Sequence, residues 1–296
     1  MQFATTLWDQ SHVSEDVIQS LQHNGVSAIE TDPDFMFDND RAAIIDARRR
    51  FEQAGIRIYS CHAPFGSKDD LSSIDPEQWQ YTIDRHLLAV RQATAAGAQT
   101  LVIHPSSKLP PDERESRRDA LFASLECLIP AAEHAGITLA LENMLSGQLC
   151  DSSAELLEIV AHFDSPALGI CFDAGHFHVT REGVVPGFSR LKDRIVHFHL
   201  QDNDSTRDLH LQPPYGTIDW DALLPLIAAE NYPFPCVVEA VPWNNGTWHD
   251  LLREVSALSR GELLTIDLNG RSLRVICPRC NRYCFGTIEN WSCGCA

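Results

Sequence analysis

The 296 residues include 44% hydrophobic side chains and carry 41 Asp and Glu against 23 Lys and Arg, a formal net charge of −18 at pH 7. That length and apolar share suit one large domain or two modest ones with a sizeable core. The charge disfavours phosphate backbones and anionic membranes as partners unless metal ions or a local basic patch reverse the field. No run reaches the roughly 18 apolar residues of a membrane helix, and MQFATTLWDQSH lacks the basic-then-apolar start of an export signal. A cytoplasmic chain with reduced cysteines is therefore expected.

Short apolar runs alternate with longer helical stretches from residue 2 to about 260. QFATTL opens, a helix is predicted over about 14–24, and VSAIE follows; a helix over about 40–54, ended by Gly55, precedes IRIYSC. The next covers 76–96 and stops at Gly97 before TLVIH, and another runs from about 113 to 135, closed by Gly136, before ITLALE. Helix 152–163 leads to LGICFD, a short helical stretch to RIVHFHL, helix 219–230 to CVVEAV, and a last helix reaches about 259. The glycines fall just past helix ends, where a left-handed cap is wanted. The strands read as nearly continuous apolar runs, as parallel strands buried on both faces do. Eight strands and eight helical segments in about 255 residues indicate the α/β class and a (β/α)8, or TIM, barrel. A doubly wound open sheet would more naturally begin with a glycine-rich phosphate turn after its first strand, and none is present.

The ends of these strands carry an unusual residue set. Glu30 ends the second, His62 the third, His104 the fourth, Glu142 the fifth and Asp173 the sixth, with His176 and His178 just behind. VHFHL offers His197 and His199, two apart and so on one side of a strand; Asp208 and His210 lie in the following loop, and Glu239 ends the eighth strand. A lone strand histidine is more often a hydrogen-bonded core residue than a ligand, and a lone glutamate often only caps a helix. Six successive strands ending in His, His, Glu, Asp, His and Glu are different: so many carboxylates are costly to bury without cations. A divalent metal at the strand C-termini, where barrel enzymes place their chemistry, would pair with them, and mixed carboxylate and imidazole donors suit Zn²⁺ or Mn²⁺. His178 and His197 are assigned to packing or to support behind the ligands.

CHAP, LVIHP, LALEN, CFDAGHFH, HFHLQDND, DLHLQPPYGTIDW and VVEAV, in that order over about residues 1–260, resemble the xylose-isomerase-like barrel superfamily. That group includes sugar (phosphate) isomerases and epimerases and the type IV apurinic endonucleases. The resemblance to the ketose epimerases implies one metal held by Glu142, Asp173, His199 and Glu239, with the two glutamates moving a proton beside a carbonyl. The resemblance to endonuclease IV implies up to three zinc ions, with His62, His104, His176, Asp208 and His210 as additional ligands; all five are of the right type.

Four functions are weighed. The favoured one is a metal-dependent isomerase or epimerase acting on a small carbohydrate-like substrate. Glu142 and Glu239 serve as base and acid, and His176 and His210 position substrate oxygens or complete further metal sites. An endonuclease IV-like phosphodiesterase is the main alternative. Against it stand the net charge, the acidic loop GSKDDLSSIDPEQW and the lack of a basic, aromatic-rich loop to bend DNA. A lyase or dehydratase on the same metal and a non-catalytic, metal-stabilised sugar sensor complete the set. Lys108 and Arg207 are candidate grips for a substrate oxyanion, with a solvated surface charge as the plain reading of each, and Trp8 and Phe65 are candidates to stack on a sugar face or to pack as a lid.

The last residues, 261–296, read as a separate unit. LLTIDL, Asn269-Gly270 and RSLRVI give a hairpin signal, followed by Cys277, Cys280, Cys293 and Cys295 at zinc-ribbon spacing, with Cys284 spare. A segment of about 35 residues needs such a staple to fold. A structural zinc is expected there, with a docking or dimer-forming role for the tail.

Overall fold

The computed structural model describes residues 1–8, 13–180, 182–241, 251–253 and 255–256, together with the backbone of strands at 273–276, 283–287 and 290–292. Eight parallel strands run in sequence order around a closed barrel: β1 (Phe3–Leu7), β2 (Ala28–Thr31), β3 (Arg57–His62), β4 (Thr100–Ile103), β5 (Thr138–Glu142), β6 (Leu168–Asp173), β7 (Ile195–Leu200) and β8 (Cys236–Val238). Pairing of Phe3, Ala4 and Thr5 with Cys236, Val237 and Val238 closes the circle. The helices between them are α1 (Glu15–His23), α2 (Pro33–Phe37), α3 (Arg41–Gln53), α4 (Pro76–Ala96), α5 (Arg114–Ala135), α6 (Ser153–Phe163), α7 (Ala174–Val179), α8 (Val184–Leu191) and α9 (Trp220–Glu230).

The helix ends follow local chemistry. The carboxylates of Asp32, Asp40, Asp75 and Asp219 and the hydroxyls of Ser14 and Ser152 each accept a backbone N–H of the first turn. Gly97 (φ 75°) and Gly136 (φ 68°) close the two longest helices in the left-handed conformation. Two elements lie outside the sequence expectation. The short α2 forms because Asp32 caps it and Pro33 opens it, and residues 174–191 hold two helices, α7 and α8, where one short stretch is expected.

Side chains alternate across each strand with a period of two, which builds the barrel interior in layers. Ala4, Ala28, Tyr59 and Val237 pack together at one level, and Val102, Ala140 and Cys171 form a second small cluster. Two residues further along the same strands stand Thr6, Glu30, His104, Glu142, Asp173 and Glu239. A small apolar layer thus lies beneath a polar one. The main apolar core fills the space between sheet and helices.

Two register shifts adjust the polar layer. Ile29 pairs with Ile58 but Glu30 with Ser60, so Tyr59 is an extra residue in β3; Ile170 pairs with Ile195 but Cys171 with His197, so Val196 is extra in β7. Such bulges re-aim side chains, and here they bring Ser60 opposite Glu30 and His199 opposite Asp173.

At the carboxyl end of the chain, β9 (Leu273–Ile276), β10 (Tyr283–Thr287) and β11 (Asn290–Ser292) form a three-stranded antiparallel sheet in the order β11-β10-β9. The Asn269-Gly270 turn and the expected zinc ligands Cys277, Cys280, Cys293 and Cys295 lie outside the described residues. Among the described residues no helix is long and apolar enough to cross a membrane.

Phe198 is fully buried on the outer face of β7, with the rings of Tyr232 at 5.1 Å, Phe172 at 5.9 Å and Phe234 at 6.0 Å. Phe198→Ala leaves a cavity that these rings cannot close, and it should cost about 3–5 kcal/mol, read as a lowered urea midpoint with an unchanged slope.

Candidate metal centre

Glu142 is the last residue of β5 and Asp173 the last of β6, His199 lies in β7, and Glu239 directly follows β8. One donor atom from each of these four lies within 4.8 Å of the others, and all four residues are buried. His199 Nδ1 stands 3.2 Å from Glu142 Oε1 and 3.3 Å from Glu239 Oε2. The group expected from sequence as the single-metal ligand set is therefore brought together.

The five additional residues join it on two sides. His104 Nε2 lies 3.0 Å and His62 Nε2 3.8 Å from Glu142 Oε2, and the three donors form a second cluster within 4.8 Å. On the other side, Asp208 Oδ2 is 3.0 Å from His210 Nε2 and 3.5 Å from His176 Nε2. His62 Nδ1 donates to Ala63 O at 2.8 Å and His176 Nδ1 to Asn143 O at 2.8 Å. Each ring thereby turns its Nε2 toward the carboxylates, and neighbouring carboxylates raise the pKa of both imidazoles in spite of burial; a metal would take the place of the proton on that nitrogen.

Local structure holds the carboxylates in place. Asp173 caps α7, its Oδ1 accepting the N–H of His176 at 2.6 Å. Asn143 links the ends of β5 and β6: its Nδ2 donates to Asp173 O at 3.0 Å, and Asp173 N donates to its Oδ1 at 2.8 Å. Gln201, fully buried, donates through Nε2 to Asp208 Oδ1 and, at 3.4 Å, to Asp173 Oδ1. A Cβ at Gly175 would meet the Gln201 amide at 2.1 Å, so any other residue there would displace that amide from Asp208 and Asp173. Asp202 accepts Trp220 Nε1 at 2.7 Å and Ile218 N at 3.1 Å, pinning the loop that carries Asp208 and His210.

These side chains fit a divalent cation. Glu142 Oε2 and Asp173 Oδ2 are buried without a hydrogen-bond partner, although buried polar atoms are normally satisfied. Burial pushes the Asp173 carboxyl up to about 7, with the charges of Glu142, Glu239 and Asp208 adding to it. Glu239 is raised by burial as well. In spite of burial, His199 and His104 hold Glu142 well below its ordinary range, and Glu239 and Asp208 lift His210 to about 10. Acids this crowded resist full ionisation on their own, and a dication bound among carboxylate and imidazole donors removes the conflict.

The cluster forms the floor of a cavity of about 360 Å³. Trp8, Phe65 and Met144 supply an apolar lip, and Lys108 and Ser107 line the opposite part of the wall. The rings of Trp8 and Phe65 meet edge to face at 6.4 Å, and Phe65 stands 5.0 Å from His62. Arg207 is exposed and does not line this cavity: the chain turns Asp208 inward to Gln201 and leaves its neighbour facing solvent. His178 lies away from the centre, bonded to Thr217 Oγ1 at 2.8 Å. His197 packs beneath the centre, its ring stacked on Tyr59 at 5.7 Å.

Sequence reading gave no role to Glu30, Asn143 or Gln201. Glu30 stood out only as a strand-end acid, and its neighbours depend on the β3 and β7 bulges, which the local sequence does not mark. Asn143 directly follows Glu142 in LALEN and Gln201 lies two residues after His199 in FHLQ, a signal that they share the strand end.

The family described as xylose isomerase-like TIM barrel matches residues 18–258. This chain belongs to that family. The xylose isomerase-like chain is 31% identical over 124 residues to fructoselysine 3-epimerase of Escherichia coli O157:H7, covering 41% of this chain and 45% of the relative. It is 23% identical over 189 residues to a probable endonuclease 4 of Mycoplasma mycoides subsp. mycoides, covering 58% and 63%. It spans less than two thirds of each of these two curated relatives. The crystal structure of a D-tagatose 3-epimerase-like protein superposes with a TM-score of 0.75 at 23% identity, covering 89% of this chain and 97% of that one, a likeness of fold.

A chelator-stripped sample should gain thermal stability when Mn²⁺ is restored, by about 2.7 kcal/mol at 100 times the Kd, and Asp173→Asn should shrink the gain. Mn²⁺ prefers oxygen and imidazole donors over thiolates, so the tail cysteines contribute little. An unchanged melting temperature in the wild-type protein would count against a cation at this centre.

Proposed function

We propose that this chain is a divalent-metal-dependent isomerase or epimerase that moves a proton next to a carbonyl of a small carbohydrate-like molecule. The observation that carries the reading is the placement of Glu142 and Glu239. Both are buried, both line the same cavity, and both stand within reach of His199 Nδ1, at 3.2 and 3.3 Å. A cavity of about 360 Å³ suits a monosaccharide-sized ligand and is too small to enclose a duplex. The names of the epimerase relatives support the same reading.

Glu142, Asp173, His199 and Glu239 would hold the ion, Zn²⁺ or Mn²⁺ by donor type. The bound ion supplies Lewis-acid polarisation of the substrate carbonyl. Glu239, raised by burial, is the group suited to exchange a proton with carbon, and Glu142, which lines the same cavity, is its partner. His176 and His210 border the cavity beside Asp208 and orient substrate hydroxyls. Trp8 and Phe65 cover the apolar face of the ligand and keep water from the proton in transit. Lys108 binds substrate oxygen at the rim. The tail carries a structural zinc on Cys277, Cys280, Cys293 and Cys295 and serves as a contact for a second copy or a protein partner.

A second reading rests on its own observation. The cluster of His62, His104 and Glu142 adjoins the first and shares Glu142 with it, as a site for two or three zinc ions would. A Glu142 carboxylate shared between ions cannot serve as a base. The chain would then be a phosphodiesterase of the endonuclease IV kind.

Incubation of the full chain with ketoses in D₂O separates the two. Proton transfer predicts deuterium entering at the carbon beside the carbonyl, and Glu239→Gln should reduce that exchange by about 10²–10⁴-fold while leaving the fold intact. Wild-type-like exchange in Glu239→Gln would sink this mechanism. Hydrolysis of a simple phosphodiester or an abasic-site duplex, lost in His104→Ala, with no exchange into any ketose, would give the second reading the lead.

A further inference from the structure

Glu30 lies directly beneath the ligand cluster, completely buried, and has no part in the chemistry described above. Both of its oxygens are engaged. Oε1 accepts from His199 Nε2 at 3.0 Å and from Thr6 Oγ1 at 3.4 Å; Oε2 accepts from Ser60 Oγ at 2.7 Å. His197 Nε2 is 2.9 Å from Oε2 but is not aligned for a hydrogen bond, and its ring is wedged against Tyr59. The carboxylate is thus held by two hydroxyls and flanked by a second imidazole.

A neutral imidazole has one N–H and one lone pair. His199 meets a carboxylate through each nitrogen, Nε2 with Glu30 Oε1 at 3.0 Å and Nδ1 with Glu142 Oε1 at 3.2 Å; in the neutral ring that a metal takes, an N–H kept on Glu30 leaves the lone pair on Nδ1, the nitrogen that also stands 3.3 Å from Glu239 Oε2. We propose that Glu30 is a positioning residue: its carboxylate fixes the ring orientation and tautomer of His199, so that Nδ1 is the atom offered to a divalent ion. The inference rests on the metal reading above and concerns how the ion is held, not which substrate is turned over. The β3 bulge belongs to the same device, because it sets Ser60 rather than Tyr59 opposite Glu30. A carboxylate behind a ligating imidazole also raises the basicity of the ring, which a carboxamide does not.

Two measurements on the full-length protein test this. Mn²⁺ binding, followed by loss of the free-ion electron paramagnetic resonance signal, should weaken about 10- to 100-fold in Glu30→Gln while the metal-free melting temperature changes little. In the wild-type protein labelled with ¹⁵N-histidine and loaded with Zn²⁺, the His199 resonances, assigned by their loss in His199→Gln, should show Nδ1 bound to metal and Nε2 carrying a proton. Wild-type Mn²⁺ affinity in Glu30→Gln, or Zn²⁺ bound through Nε2 of His199, would overturn the inference and leave the metal reading intact. If Glu30→Gln fails to fold, the labelled wild-type protein decides alone. A wild-type protein that takes up neither ion at this centre would overturn the metal reading together with the inference.

Discussion

Everything at the mouth of this barrel follows from placing several carboxylates where water cannot reach them. Glu30, Glu142, Asp173 and Glu239 are at most 3% exposed, and an isolated ionised carboxylate is very costly to bury. The chain meets that cost with imidazoles. Glu30 is paired with His199 and lies against His197, Glu142 with His199 and His104, and Asp208 with His176 and His210. Imidazoles alone leave the account open, since Glu142 Oε2 and Asp173 Oδ2 still lack hydrogen bonds and the Asp173 carboxyl is forced up to about 7. A divalent cation among these donors would close it.

Much of the fold was legible in the sequence because a (β/α)8 barrel repeats one strong signal. Strands such as TLVIH and LGICFD are apolar on both faces, and Gly97 and Gly136 mark where helices must stop, since a left-handed cap has few other occupants. The polar cluster at the strand ends was legible for a related reason: polar residues closing apolar runs have no packing explanation once there are six of them. Arg207 shows the limit of proximity along the chain. It adjoins Asp208 in sequence, yet it sits in the bend at 205–207 and stands in solvent while Asp208 turns in to Gln201. Lys108, four residues beyond His104, does reach the cavity because its loop is tied to the next one through Ser106 Oγ and Leu149 N at 2.8 Å.

What escaped the sequence lies in the support behind the ligands. Whether Glu30 meets Ser60 depends on which residue of β3 is extra, and where His199 stands depends on the extra Val196 in β7; nothing in RIYSCH or RIVHFHL distinguishes Tyr59 or Val196 as the bulged one. Asn143 and Gln201 are ordinary polar residues until β5, β6 and β7 are aligned; then one bridges two strand ends and the other ties Asp173 to the loop bearing Asp208. Such roles are set by three-dimensional register, and a one-dimensional pattern of burial carries no record of them.

The two functional readings differ in the state of one oxygen. Glu142 Oε1 faces His199 and the four-residue cluster, whereas Oε2 faces His104 and His62. If Oε2 stays with imidazoles, Glu142 keeps the freedom to exchange protons, and the cavity works as a small-molecule pocket between two acids. If Oε2, His62 and His104 were to hold a second ion, Glu142 would lose the freedom to act as a base, and the ions would supply the nucleophile activation that phosphoester hydrolysis needs. His104 tips this balance toward the first state only weakly, because burial pushes its pKa down to about 4 and leaves it neutral at pH 7. A neutral His104 can serve either as a hydrogen-bonding neighbour or as a ligand. Family membership is compatible with both states. The choice between them is made by this carboxylate and its two histidines.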